Sequence, residues 1–125
     1  MAGITQVGRV MVPVAEQDAA IAFYKDALGF TLAADVPFGD GERWVEVAPP
    51  GGGTSLALVP PRGEYVTGRM TGIALETADA HGLHADLLAK GVDVDTELVG
   101  GDGTVPTLFF FRDRDGNSLM IVERA

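Results

Sequence analysis

The polar and apolar positions change period twice along the chain, in the same order each time. From Gly8 to Val14, "GRVMVPV" alternates with period two and predicts a strand. "AEQDAAIAFYKDALGF" then shifts to helical spacing. Ala20, Phe23, Tyr24, Ala27 and Leu28 fall on one face, and Gly29 stands as the stop. Three short strands are expected next, around Thr31 to Val36, Arg43 to Ala48 and Thr54 to Val59, parted by the turn chemistry of "GDG" and "PPGGG".

The order then returns. "MTGIALET" predicts a strand. "ADAHGLHADLLAKG" predicts a helix with Leu83, Leu87 and Leu88 on one face, Asp79 as its N-cap and Gly91 as its stop. "VDVDTEL", "VPTLFFFR" and "NSLMIVE" predict three more strands. From Gly29 to Gly91 the repeat is about 62 residues, too long for a solenoid unit. The pattern is a βαβββ module used twice in a single domain over 1–125: module one about 6–60, a polar Pro- and Gly-containing linker over 61–69, and module two about 70–125. The expected fold is α+β, with the two modules forming a curved mixed sheet around a cleft and the helices on the outer face.

Strand parity divides the side chains. Val10, Val12, Val14, Leu56, Leu58, Ile73, Leu75, Leu119 and Ile121 form a uniformly aliphatic set expected beneath the helices. The opposite parity is mixed in polarity, as a ligand-facing surface is. It carries Arg9, Met11 and Pro13; Trp44 and Glu46; Ser55, Ala57 and Val59; Gly72, Ala74 and Glu76; Phe109 and Phe111; and Ser118, Met120 and Val122.

Composition narrows the function classes. With 125 residues and 46% hydrophobic content, the chain can bury a core unaided; without cysteine it has no disulfide, thiolate metal site or cysteine nucleophile. No apolar run approaches a membrane span and "MAGITQVGRV" lacks the pattern of a signal peptide, so a cytoplasmic protein is expected. A formal net charge of -9 argues against nucleic acid and anionic membrane as partners and permits a cationic ligand.

Several motifs read as structure. "DRDGNS" resembles the start of a calcium loop, but counting from Asp113 the sixth and twelfth positions are Ser118 and Arg124, where an EF-hand needs glycine and glutamate. Asp115-Gly116-Asn117 is the chemistry of a tight hairpin. His81 and His84 share a helix face expected to be exposed, away from the leucine stripe. "PPGGGTS" lacks the ending of a phosphate loop, and no Gly-x-Ser-x-Gly elbow occurs.

The paired modules, the "AIAFYKDALGF" helix and "FFFRDRDGNSLMIVE" before the C-terminus together resemble the vicinal oxygen chelate superfamily, which includes glyoxalase I, extradiol dioxygenases and bleomycin resistance proteins. The resemblance implies metal ligands from the first and last strand of each module in the metal-dependent members. Those positions here hold Arg9, Ala57, Gly72 and Met120, none of which suits a divalent metal in that role, so no metal and no cofactor is expected.

What remains is a small-molecule ligand site made of Arg9, Met11, Trp44, Glu46, Ala57, Glu76, Phe109, Phe111 and Met120, suited to a flat, cationic or hydrogen-bonding guest. The resemblance to bleomycin resistance proteins implies metal-independent sequestration of an antibiotic or other organic molecule by a homodimer. One alternative is an enzyme of the same superfamily, in which Glu46 or Glu76 acts as a general base after burial raises its pKa. A structural alternative is an Arg9–glutamate ion pair closing the bottom of a filled cleft; a third reading is a partner-binding or regulatory domain whose cleft is packed solid by Trp44, Phe109, Phe111 and Met120.

Overall fold

The computed structural model describes residues 2–124; Met1 and Ala125, the ends of the expected 1–125 domain, lie outside the described residues. Two compact units divide between Val66 and Thr67. Each is a βαβββ unit with one helix and one four-stranded mixed sheet, and the fold class is α+β.

In the first unit β1 (Arg9–Pro13) leads to α1 (Gln17–Asp26), followed by β2 (Thr31–Pro37), β3 (Arg43–Ala48) and β4 (Ser55–Val59). The sheet order is β1-β4-β3-β2, with β1 parallel to β4 and the other pairs antiparallel. The Glu16 side chain caps α1 by accepting from the Asp18 N–H. Gly29 ends the helix at φ 74°, a left-handed conformation that a side chain resists. Ala20 and Tyr24 bury the helix on the sheet, and the Gln17 amide donates to the carbonyls of Arg43 and Leu58, tying the first helical turn to β3 and β4. Beneath them Val12, Val45, Val47, Leu56 and Leu58 are buried, as the aliphatic parity requires.

In the second unit the elements are β5 (Met70–Thr77), α2 (Ala80–Ala89), β6 (Asp93–Val94), β7 (Leu108–Arg112) and β8 (Ser118–Glu123), in sheet order β5-β8-β7-β6. Asp79 caps α2 by accepting from the Gly82 N–H, as the sequence predicts. The Glu123 carboxylate, from the last strand, takes the Ala80 N–H at the same helix end.

Four expectations are corrected. "VDVDTEL" forms only the two-residue β6, then a single bridge between Val99 and Leu108. Asp93 and Asp95 turn their carboxylates to Arg112, and Gly100, Gly101 and Gly103 at positive φ, with Pro106 lacking an N–H, carry the chain away from the ladder until Leu108. His84 is buried, not exposed: its ring meets Phe109 edge to face at 4.9 Å and its Nε2 donates to the Asp95 carbonyl at 2.7 Å. Leu88, expected on the buried stripe, is exposed instead.

The fourth correction concerns the phenylalanines. Phe109 pairs with Ile121 and Phe111 with Leu119, and directly paired residues share a face. Phe109 and Phe111 are therefore on the aliphatic side under α2, 1% and 0% exposed. Phe110, opposite Met120, takes the helix-free side.

The "DRDGN" hairpin is a buried polar knot. Asp113 Oδ1 accepts from the N–H groups of Asp115 and Asn117, and Gly116 turns at φ 80°. Asn117 is fully buried; its Oδ1 accepts from Gly68 N and its Nδ2 donates to Asp113 Oδ2. The hairpin thus anchors the segment entering β5. Part of the expected linker is also ordered: Arg62 and Tyr65 exchange backbone hydrogen bonds, Arg62 pairs with Glu42, and the Tyr65 hydroxyl donates to the Met11 carbonyl.

Candidate functional site

The helix-free face of the first unit is built in rows across the sheet. Met11, Ala57, Glu46 and Ala34 stand side by side on β1, β4, β3 and β2; Pro13 and Val59 begin the next row, which Trp44 and Val36 complete. Arg9 is paired with Ser55 on the other flank. Ala57 and Ala34 are the small neighbours of Glu46, and they leave room for longer side chains from the adjoining rows to converge on its carboxylate.

Two do so. Arg9 Nε donates to Glu46 Oε2 at 2.8 Å, and Trp44 Nε1 donates to the same oxygen at 2.6 Å. The glutamate side chain is 10% exposed and the arginine 55%. Burial alone would raise the carboxyl pKa, but the indole N–H and the guanidinium outweigh it, with help from the Ser55 hydroxyl, and hold Glu46 below the usual carboxylate range. Glu46 is an occupied acceptor kept ionised, which is the opposite of the raised pKa a general base would need. Trp44 also packs against Phe38, ring centroids 5.8 Å apart. Met11, Val36 and Phe38 are about half exposed around this cluster.

The helix-free face of the second unit is more apolar. Ala74, Met120 and Phe110 form one row and Glu76, Val122 and Leu108 the next. Glu76 and Ala74 are exposed, while Met120, Phe110, Val122 and Leu108 are partly exposed. Gly72 lies at φ 75° where the β5–β8 register slips between Met70 and Ala74, and nothing occupies the space a Cβ would take there. Its glycine answers the backbone of the slip, not a close approach.

Of the nine residues expected to bind a ligand, Arg9, Met11, Trp44, Glu46 and Ala57 share the first unit's helix-free face, and Glu76 and Met120 share the second's. Phe109 and Phe111 fall outside it, beneath α2. Sequence reasoning missed Phe110, together with Ala34, Val36 and Phe38 of β2 and the loop after it. The hairpin held the signal for Phe110: closing it between Asp113 and Asn117 sets residue 110 opposite 120.

A divalent metal does not fit the donors present. Arg9, Ala57, Gly72 and Met120 supply one cation, two side chains without donor atoms and a thioether. Among the described residues no three His, Asp or Glu side chains are grouped to hold an ion.

The family model described as Glyoxalase/Bleomycin resistance protein/Dioxygenase superfamily matches residues 6–121. The chain belongs to that superfamily. It is 33% identical to the uncharacterized protein YetH of Bacillus subtilis (strain 168), over 96% of this chain and 99% of that one. Among solved structures, TnmS3, an antibiotic binding protein from Streptomyces sp. CB03234, is 35% identical with a TM-score of 0.85 and full coverage of both chains. A superfamily member from Sphaerobacter thermophilus DSM 20745 is 31% identical with a TM-score of 0.88, over 97% of this chain and 98% of that one. The two-module superfamily fold is thus shared along nearly the whole chain. No helix among the described residues is long and apolar enough to cross a membrane.

Proposed function

We propose that this protein binds a small organic molecule without a metal ion, as a cytoplasmic homodimer that sequesters its guest. The binding residues are Arg9, Met11, Trp44, Glu46 and Ala57 on the helix-free face of the first unit; Glu76, Phe110 and Met120 stand on the second unit's own helix-free face. The observation that carries this reading is the engagement of Glu46. Glu46, the buried carboxylate on the first unit's helix-free face, is ion-paired with Arg9 and hydrogen-bonded by the Trp44 N–H, so that face offers shape, an aromatic ring and the remaining guanidinium N–H groups instead of a base or a ligand set. The likeness to an antibiotic binding protein supports the same class of function.

The enzymatic alternative through Glu46 needs a carboxyl that accepts a proton near neutrality, and the direction of its pKa disfavours that role. Isothermal calorimetry of protein dialysed against a chelator, with a panel of aromatic and cationic antibiotics, tests the proposal. Saturable heats with at least one member are expected in the continued presence of the chelator. Flat titrations across the panel, or heats that emerge only on adding a divalent metal, would refute it.

A further inference from the structure

The cluster around Glu46 also bears on the chemistry of the guest, which deepens the function proposed above and rests on it. Glu46 is a poor partner for a cation. Its Oε2 takes two donors, Ser55 adds a third, and only about a tenth of the side chain reaches solvent. A cationic guest would have to displace Arg9 or Trp44 from a buried carboxylate, leaving a donor unmatched.

Arg9 is placed differently. Its Nε is fixed on Glu46, yet more than half of the side chain is exposed, and among the described residues no group accepts from either Nη. A guanidinium anchored through Nε still has the N–H groups of both Nη atoms, and such N–H pairs match the two oxygens of a carboxylate or a similar vicinal pair. The surface beside it is apolar and aromatic: Trp44 with Phe38 against it, then Met11 and Val36.

We infer that Arg9 is the specificity determinant for a planar aromatic guest bearing an anionic oxygen pair, the oxygens received by its Nη groups and the ring system laid on Trp44 and Met11. Glu46 acts through Arg9 as a positioning residue. The whole chain carries a formal charge of -9, which disfavours anions generally, so a preference for an anion isolates the local effect of this arginine.

Trp44 is the sole tryptophan, so its fluorescence reports on the site directly. Three probes on one naphthalene ring are titrated in chelator: 2-naphthoate, the neutral 2-naphthamide and the cationic 2-naphthylmethylammonium. Hydrogen bonds to charged groups at a half-exposed arginine lead us to expect the naphthoate to bind about tenfold more tightly than the amide, with the ammonium weakest. Arg9→Lys keeps a charge beside Glu46 but loses the fork, and most of the preference should go. The double variant Arg9→Met/Glu46→Gln removes the guanidinium without orphaning a buried carboxylate, and naphthoate and amide should then bind alike. Equal affinity of the three probes for the wild-type protein, or a naphthoate preference that survives the double variant, overturns this inference and leaves small-molecule binding standing. No response to any probe at millimolar concentration counts against both.

Discussion

Phe110 stands directly opposite Met120 across the β7–β8 ladder, while its neighbours Phe109 and Phe111 face Ile121 and Leu119 on the other side of the sheet. Three consecutive identical residues are thereby divided between a packed core and a half-open surface. Phe109→Ala and Phe111→Ala should each cost about 3–5 kcal/mol, the range for emptying a buried phenylalanine site. Phe110→Ala should cost about 1–2 kcal/mol, since a half-buried ring surrenders less apolar area. Urea denaturation of the three variants measures this, and a Phe110 variant as unstable as the other two would mean that the faces are assigned the wrong way round.

The repeat, both helices, the succession of elements along the chain and the aliphatic face of the first unit were legible because the helices and most of the strands keep a clean period with glycine punctuation. The triple phenylalanine has no alternation of its own, so its facing had to be carried from β8 through the hairpin. Counting back from the Asp113–Asn117 closure gives the observed register. Residues 92–98 looked like a strand because Val92 and Val94 alternate with Asp93 and Asp95. The acids are instead consumed by Arg112, a contact from another strand that no local pattern discloses. His84 was hidden for a similar reason: a polar residue on a helix is buried only when a specific partner waits, here the Asp95 carbonyl. The clustering of Arg9 and Trp44 on Glu46 was partly visible as shared parity, but which glutamate Arg9 would choose depends on strand order, which places Glu46 one strand beyond Ala57.

Stability should carry the signature of Glu46. Its pKa is lowered from 4.5 in the folded protein, so its contribution is fully present above the unfolded value and is lost as pH falls through the depressed one. Wild-type protein should be more stable than Glu46→Gln at pH 7, and the gap should close on acidification below about pH 4. Thermal melts of both proteins between pH 7 and 3 supply the comparison; a gap that widens in acid would contradict the ionised, paired carboxylate.

The Asp113–Asn117 knot predicts a structural role without an ion. Asn117→Ala leaves buried partners unmatched and should cost about 1–3 kcal/mol. Adding millimolar calcium should leave the melting temperature of the wild-type protein where it is. A calcium-dependent rise, read by calorimetric scanning, would restore the cation loop that the residue spacing argues against.

His84 donates from Nε2 to a carbonyl, so the ring carries its proton on that nitrogen when neutral. Long-range nitrogen–proton correlation spectra should show the Nε2–H tautomer for His84. His84→Leu keeps the contact with Phe109 but removes the donor, and should destabilise by about 1–3 kcal/mol. A neutral variant effect together with tautomer averaging would show that the bond to Asp95 is not formed.

The central claim is that the Trp44 face receives an organic guest with no metal between them. The single indole N–H signal of Trp44 in a nitrogen–proton correlation spectrum tests it most directly, recorded in chelator while a ligand found by calorimetry is added. A saturable shift of that signal, with affinity equal to the calorimetric value, is the expected result. An indole signal that stays in place while the ligand binds, or that moves only after a divalent metal is restored, would contradict the account.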